Sequence, residues 1–136
     1  MEKLDLSPAK TDGIDFAAVR QYHQARETKL RTRCEEERLV WLARGQQAIN
    51  HFAPTHVALQ RVYLFGSVMQ PGRFRPDSDI DVAVECTNLE TESLFWSELE
   101  RELQRDVDVR LYVGAIIDAV RWHGKLVYER ESHHSK

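Results

Sequence analysis

Two short apolar runs, separated by a polar loop, constrain the fold of this chain more than any other feature. The first run, residues 62–65, ends at Gly66 and Ser67, and the second begins with the alternating acids Asp79 and Asp81. Side chains at positions i and i+2 of a β-strand project to the same face, roughly 6.5–7 Å apart. The two carboxylates would lie side by side and repel each other unless a cation separates them. Because Mg²⁺ prefers such oxygen ligands, the pattern predicts a magnesium site.

A third segment, residues 106–112, has the strict alternation of a half-buried strand. Its apolar positions are Val107, Val109 and Leu111, and its polar positions are Asp106, Asp108 and Arg110. The Gly-Ser pair ends the first strand and the acid pair opens the second, so a single site requires these two strands to be antiparallel. Asp108 joins that site if the third strand runs parallel to the second. We therefore expect a small mixed sheet with the site at one edge.

Helix-forming sequence precedes and follows these strands. Asp15 is a candidate N-cap for a helix that begins at Phe16 and extends to about Phe52, either unbroken or interrupted near Thr32. A second helix is predicted over residues 90–104, and a third follows the last strand. The predicted fold class is α/β, of the α+β type: a small mixed β-sheet with helices packed on one face, plus a long N-terminal helical extension.

The chain divides into three predicted segments. Residues 1–38 form a polar tail and the helical extension, residues 39–131 form the folded domain, and residues 132–136 are a disordered tail. The run at residues 27–38 is mostly charged, which is typical of a solvated helix. Because this helix extends beyond the folded domain, we expect it to dock a partner or a second copy of the chain, forming an oligomer.

Composition narrows the classes of protein that fit. A length of 136 residues, with 42% hydrophobic and 30% charged residues, is typical of one soluble globular domain. No apolar run approaches the roughly 20 residues that span a bilayer, and the first residues lack a signal-peptide pattern. Cys34 and Cys86 have no Cys-x-x-Cys spacing, which disfavours a disulfide framework or a zinc site. We expect a cytoplasmic protein without membrane contact, and the net charge of −3 argues against dedicated nucleic-acid binding.

Three acids at one sheet edge are suited to a two-metal site that holds a triphosphate. Asp79 and Asp81 would bridge the two ions, and Asp108 would complete the ion beside the nucleophile or accept its proton. Gly66 allows the backbone to approach phosphate closely, while Ser67 offers N–H and hydroxyl donors at the start of a short helix. The predicted reaction is attack of a hydroxyl group on the α-phosphorus, with pyrophosphate as the leaving group.

Four segments together resemble the signature of the minimal nucleotidyltransferases, small members of the DNA-polymerase-β-like superfamily. They are Phe-Gly-Ser at 65–67, Ser-Asp-Ile-Asp at 78–81, Val-Asp-Val at 107–109 and the apolar ending at 120–128. The resemblance covers about residues 40–130. It implies Mg²⁺ and a nucleoside triphosphate, usually ATP. It also implies a partner, because many such proteins are antitoxins paired with a HEPN-domain toxin, which some inactivate by transferring AMP to a tyrosine.

The loop after the Gly-Ser pair departs from the pattern of this family. The gap between Ser67 and Asp79 is one residue longer than the commonest spacing. The usual Arg-Ala-Arg-Gly is replaced at residues 68–72 by Val-Met-Gln-Pro-Gly, so a basic residue expected to face phosphate is missing unless Arg73 or Arg75 replaces it. The change weakens the expectation of tight nucleotide binding and leaves the acids untouched.

Other polar residues near the motif have simpler interpretations. Asp77 follows a proline and is expected to form a turn, and Asp106 ends the preceding helix. Arg110 would reach phosphate or, more simply, form a salt bridge with an acid. Ser67 is not a hydrolase nucleophile, since the Gly-x-Ser-x-Gly pattern is absent, and the chain has no P-loop.

Three functions are compatible with the sequence. The first is an enzyme, a Mg²⁺-dependent nucleotidyltransferase that moves AMP from ATP to a hydroxyl group of a partner protein, a HEPN toxin. The second applies the same chemistry to a small molecule such as an aminoglycoside, and ranks lower because such enzymes usually carry an extra helical domain. The third is a non-catalytic antitoxin that neutralises a toxin by contact. The altered 68–72 loop favours the third function, and the three acids oppose it.

Overall fold

The computed structural model describes residues 14–131, so the predicted tails at residues 1–13 and 132–136 lie outside the described residues. The described chain contains three α-helices, four β-strands and two 3₁₀ turns. In chain order they are α1 (Phe16–Phe52), a 3₁₀ turn (Ala53–Thr55), β1 (Leu59–Phe65), a second 3₁₀ turn (Gly66–Met69), β2 (Ile80–Cys86), α2 (Leu89–Leu103), β3 (Val107–Leu111), α3 (Ala115–His123) and β4 (Lys125–Glu129).

The four strands form one mixed sheet in the order β3-β2-β1-β4. Strands β1 and β2 are antiparallel, β2 and β3 are parallel, and β1 and β4 are antiparallel. The predicted fold class, with a small mixed sheet and a long N-terminal helix, is confirmed. The predicted directions of the first three strands are also correct. The structure adds β4, an edge strand formed by apolar residues that follow the last helix.

One face of the sheet carries the main hydrophobic core. The alternating apolar side chains of β1, β2 and β3 point to this face, because residues two apart on a strand share a face. They pack against Ala48 and Ile49 of α1 and against Phe95, Leu99 and Leu103 of α2. Phe95 and Leu99 are fully buried. This packing turns the intervening polar positions of β2 and β3 towards the opposite face.

Helix α3 lies over that opposite face, which also carries the acids. Val120 of α3 packs there with Tyr63, Phe65 and Ala83 in a second, smaller cluster of buried residues. The structure therefore refines the sequence prediction that helices pack on one face: α1 and α2 share one face, and α3 covers part of the other. The helix ends at His123 because Gly124 takes an extended backbone conformation.

The first part of α1 forms a compact unit of its own, ending at Arg33. As predicted, Asp15 caps this helix, since its Oδ1 accepts a hydrogen bond of 3.1 Å from the Ala18 N–H. The helix continues through Thr32 without a break. The side chains of residues 14–33 are exposed, and they include large apolar groups such as Phe16 and Tyr22.

A second compact unit begins at Cys34. Within it, Arg38 is buried, although the sequence analysis assigns it to the solvated charged run. The boundary predicted between residues 38 and 39 stays a prediction. Among residues 14–131, no helix combines the length and the apolar character needed to cross a membrane.

Packing of α2 on the sheet is tested by substituting two adjacent residues. Phe95 is fully buried and Leu94 is 55% exposed. We expect Phe95→Ala to lower the free energy of unfolding by about 3–5 kcal/mol, because it removes a buried ring and leaves a cavity. Leu94→Ala should change it by no more than about 0.5 kcal/mol. Urea denaturation measures both values, and equal losses for the two variants would contradict this packing.

Candidate active site

The structure brings the three predicted acids to the N-terminal ends of two neighbouring strands. Asp81 of β2 is the direct register partner of Asp108 of β3. Asp79 is exposed and lies in the loop immediately before β2, and not on the strand as the sequence predicts. The ladder between β2 and β3 begins one residue later, where the Ile80 N–H donates to the Asp106 carbonyl. The Gly-Ser pair belongs to the same neighbourhood, because Phe65, the residue before it, pairs with Asp81.

Asp81 is the electrostatic centre of this group. Burial, the negative charge of Asp108 and that of Asp79 together raise the pKa of Asp81 to about 6. The nearby Arg110 lowers the pKa of Asp81 and only partly opposes these effects. Burial and the two neighbouring carboxylates favour the protonated form of Asp81, so the site disfavours the ionised form of this carboxyl group. A positive ion placed among the three carboxylates would remove this conflict.

Gly66 fits beside Asp81 only because it lacks a side chain. Its φ angle is +76°, and a Cβ atom built there would lie 2.8 Å from the Asp81 Cγ and overlap a carboxylate oxygen. The Gly66 N–H donates a 2.9 Å hydrogen bond to the Nε2 of His123. This amide is therefore committed within the protein. The donors that remain for a phosphate are those of Ser67, which is partly buried in the 3₁₀ turn Gly66–Met69.

Helix α1 holds the altered loop that follows Ser67. The guanidinium of Arg38 donates a 3.0 Å hydrogen bond from Nη1 to the Val68 carbonyl and pairs through Nε and Nη2 with Glu35. Hydrogen bonds from Arg38, together with one from the backbone of Gly72, lower the pKa of the Glu35 carboxyl group. Arg38 therefore fixes the loop and is not free to bind phosphate.

A second arginine holds the turn that leads into Asp79. Arg105 donates to the Ser78 carbonyl at 2.8 Å, and to two further backbone carbonyls of the same turn. Its guanidinium also lies over the rings of Trp41 and Phe74, 4.7 Å from each ring centre. Such contacts add cation–π attraction to the hydrogen bonds. Arg105 thus positions the backbone from which the Asp79 side chain projects.

Neither Arg73 nor Arg75 is positioned as the basic residue that the sequence lacks at residues 68–72. Arg75 donates a 3.0 Å hydrogen bond to the Gly72 carbonyl, within its own loop. Arg73 is exposed. The basic side chain that reaches the acids is Arg110, whose Nε lies 3.1 Å from Oδ1 of Asp108, which is the salt bridge expected from the sequence.

The roles of His123, Arg38 and Arg105 at this site were not predicted from the sequence. Arg38 had a weak signal, because Glu35 precedes it at helical i, i+3 spacing. His123 lies in the segment that carried the family resemblance but was given no role there, and Arg105 had no local signal. All three act on backbone atoms far away in sequence, such as those of Gly66, 57 positions from His123.

The donor set of the site fits a hard divalent cation. Asp79, Asp81 and Asp108 supply only carboxylate oxygens, the ligand type that Mg²⁺ takes. Within residues 14–131, no three side chains of Asp, Glu, His or Cys are already grouped as metal ligands. Asp108 is instead paired with Arg110.

The match to a known family model covers most of this domain. Residues 47–133 match the model described as polymerase beta, nucleotidyltransferase. The chain belongs to the polymerase beta nucleotidyltransferase family. No protein of curated function has a significant sequence match to this chain.

Several solved structures with a similar fold are toxin–antitoxin complexes. One, solved with AMP-PNP, is 26% identical with a TM-score of 0.53, over 63% of this chain and 74% of that chain. A mutant MntA-HpeT complex has the same TM-score and coverage at 24% identity, which indicates fold alone. A tri-AMPylated HEPN toxin of Shewanella oneidensis with its MNT antitoxin is 22% identical, with a TM-score of 0.48, over 65% of this chain and 72% of that chain.

Two glycines with similar backbones provide a matched test of the contact between Gly66 and Asp81. Gly66 and Gly72 have φ angles of +76° and +82°, but a Cβ atom at Gly72 would meet nothing within 4 Å. Gly72→Ala should lower the free energy of unfolding by about 1–2 kcal/mol through backbone strain. Gly66→Ala should cost about 1–3 kcal/mol more, because the methyl group displaces Asp81. Urea denaturation gives both values, and equal costs would show that Gly66 does not press on Asp81.

The raised pKa of Asp81 also predicts how stability depends on pH. Between about pH 4 and pH 6 the folded protein binds more protons at Asp81 than the unfolded chain, whose pKa is 3.8, so the free energy of unfolding decreases as pH rises. After allowance for solvent screening, we expect a loss of about 1 kcal/mol across this interval. Asp81→Asn removes this loss, so the variant should be more stable than wild type above pH 6. Urea denaturation without divalent cations measures it, and parallel pH profiles for both proteins would contradict it.

Proposed function

We propose that this chain is a Mg²⁺-dependent nucleotidyltransferase that transfers AMP from ATP to a hydroxyl group of a partner protein. The observation that carries the proposal is the direct pairing of Asp81 with Asp108, next to Gly66 and Ser67. This arrangement supports the proposal because the acidic residues and the candidate phosphate donors lie next to each other in a polymerase beta nucleotidyltransferase domain.

The three aspartates would hold the metal. Asp79, Asp81 and Asp108 would supply its carboxylate oxygens, and Asp81 must be ionised to do so. Bound magnesium would polarise the triphosphate and lower the pKa of the attacking hydroxyl group. Because protons compete with the metal for Asp81, the affinity for Mg²⁺ is expected to increase as pH rises through about 6.

The neighbouring residues would bind and orient the nucleotide. Ser67 would donate its backbone N–H and hydroxyl group to phosphate oxygens, and Arg110 carries the positive charge nearest to the acids. The acceptor oxygen attacks the α-phosphorus and forms a new P–O bond, while the bond to pyrophosphate breaks. A carboxylate of the site, Asp108 in our proposal, takes the proton released by the hydroxyl group.

The partner we propose is a HEPN-domain toxin, which makes this chain its antitoxin. The similar toxin–antitoxin complex solved with AMP-PNP supports the antitoxin role, and the HEPN class of toxin is what the family resemblance implies. The exposed part of α1, residues 14–33, offers apolar groups such as Phe16, Tyr22 and Leu30 as contacts for that partner or for a second copy of the chain. Exposed groups of this kind mark interaction sites when they are numerous.

One observation favours a second candidate, neutralisation of a toxin by contact without chemistry. The loop at residues 68–72 lacks a basic residue, and the guanidinium that reaches it, from Arg38, is committed to Glu35 and a backbone carbonyl. In this candidate the acids would remain as a relic of the family and contribute nothing to neutralisation.

Labelled ATP distinguishes the two candidates. With Mg²⁺ and a purified HEPN protein encoded beside this chain, we expect label on the HEPN protein. Asp79→Asn, Asp81→Asn and Asp108→Asn should each reduce labelling at least about a hundredfold, because each removes charge worth several kcal/mol at the metal. The neighbouring acids provide matched controls: Asp77→Asn and Asp106→Asn should label the partner as wild type does.

The same variants test whether the chain neutralises a toxin by contact alone. If toxin neutralisation persists in all three site variants, the chain acts by contact and the enzymatic proposal fails. If the control variants lose labelling as fully as the site variants, the acids of the site are not specific to the chemistry. Light scattering of the same samples gives the mass of the complex and shows whether the chain associates with itself.

A further inference from the structure

We propose that His123 is a positioning residue, whose hydrogen bond to Gly66 holds the Gly-Ser turn against Asp81. The proposal rests on the proposed function for its catalytic consequence, although the contact itself can be measured without nucleotide. His123 acts through Gly66 and is not assigned a contact with substrate.

The backbone of His123 is fixed by the way α3 ends. The Gly124 N–H donates a 2.7 Å hydrogen bond to the Val120 carbonyl and closes the helix. A Cβ atom at Gly124 would lie 2.8 Å from that carbonyl oxygen and 3.0 Å from the carbonyl oxygen of Leu64 in β1. The end of the helix is therefore packed directly against β1. This close approach brings the imidazole of His123 to the residue that follows β1.

The hydrogen bond defines the state of the imidazole ring. Nε2 accepts from the Gly66 N–H, so in the neutral ring the proton is on Nδ1. Nδ1 is buried and, within residues 14–131, has no hydrogen-bond partner. A buried polar atom without a partner is unfavourable and calls for a compensating role. We infer that the compensation is the fixed position of Gly66.

The position of Gly66 matters because two candidate site residues depend on it. Its α-carbon lies so close to the Asp81 carboxylate that no side chain fits between them. Ser67 follows directly, so the directions of its N–H and hydroxyl group depend on the same turn. If Gly66 were released from His123, the turn would shift relative to Asp81. The phosphate donors and the metal ligand would then lose their mutual alignment, and small misalignments reduce the rate strongly.

Two substitutions of similar size separate this role from a general structural one. In His123→Gln, the side-chain oxygen can occupy the place of Nε2 and accept the Gly66 N–H. In His123→Asn, the oxygen lies near the place of Nδ1 and cannot reach Gly66. We expect the Asn variant to expose the Gly66 amide to hydrogen exchange, measured by NMR in the protein without nucleotide, while the Gln variant retains protection.

The two His123 variants should also differ in the rate of AMP transfer. His123→Asn should lower kcat for AMP transfer about ten- to a hundredfold, since alignment is lost. His123→Gln should recover most of that loss, with thermal unfolding midpoints alike in the two variants. A Gly66 amide that stays protected in the Asn variant would overturn the proposal. Equal kcat values for the two variants would also overturn it, whether both are active or both are impaired.

Failure of the proposed function can be distinguished from failure of the positioning role of His123. If wild-type protein transfers no AMP to its partner, the enzymatic proposal fails, and hydrogen exchange at Gly66 still decides the contact. In that case, titration with Mg²⁺ alone gives the second readout through the NMR resonance of the Asp81 amide. Weaker Mg²⁺ binding in the Asn variant than in the Gln variant supports the positioning role, and equal binding rejects it.

Discussion

The parallel register of β2 and β3 is the constraint on which the rest of the site depends. It pairs Ile80 with Val107 and Val82 with Val109, and these four apolar side chains are buried on the core face. A shift of either strand by one residue would move the apolar side chains of that strand to the other face. Each contributes about 1.5–3 kcal/mol through burial. That sum exceeds the repulsion between the acids in the positions between them, so the core forces Asp81 and Asp108 together.

This dependence explains why much of the site was predictable from the sequence. Alternation with a period of two is a local pattern, and it reports which side chains share a face before any contact is known. Asp81 and Asp108 alternate with apolar residues, and the need to join them to Gly66 gave the strand directions. Asp79 was placed on the strand and lies one residue before it, because the β2–β3 ladder begins at Ile80.

The remaining features could not be predicted because they are single contacts between a side chain and a distant backbone atom. His123 reaches Gly66 across 57 positions, and Arg38 reaches Val68 across 30. Such hydrogen bonds have no period and require only one suitable residue at each end. The edge strand β4 was missed for another reason: its three apolar residues, 126–128, are consecutive and do not alternate with polar ones, and three of its five side chains are exposed. Helix α3 could be predicted, but the face that it covers depends on that strand and on the close packing of Gly124.

The negative charge of the three acids is only partly neutralised within the fold. Arg110 pairs with Asp108, but its side chain is 59% exposed, and an ion pair so open to water contributes little. It therefore offsets only part of the repulsion, and burial together with the remaining repulsion raises the pKa of Asp81. Replacing Asp81 with an apolar residue would relieve this conflict at no cost to the core, since Asp81 projects from the opposite face. An acid held in this unfavourable place, with a glycine pressed against it, contributes nothing to stability and so supports the proposal that the site binds a cation.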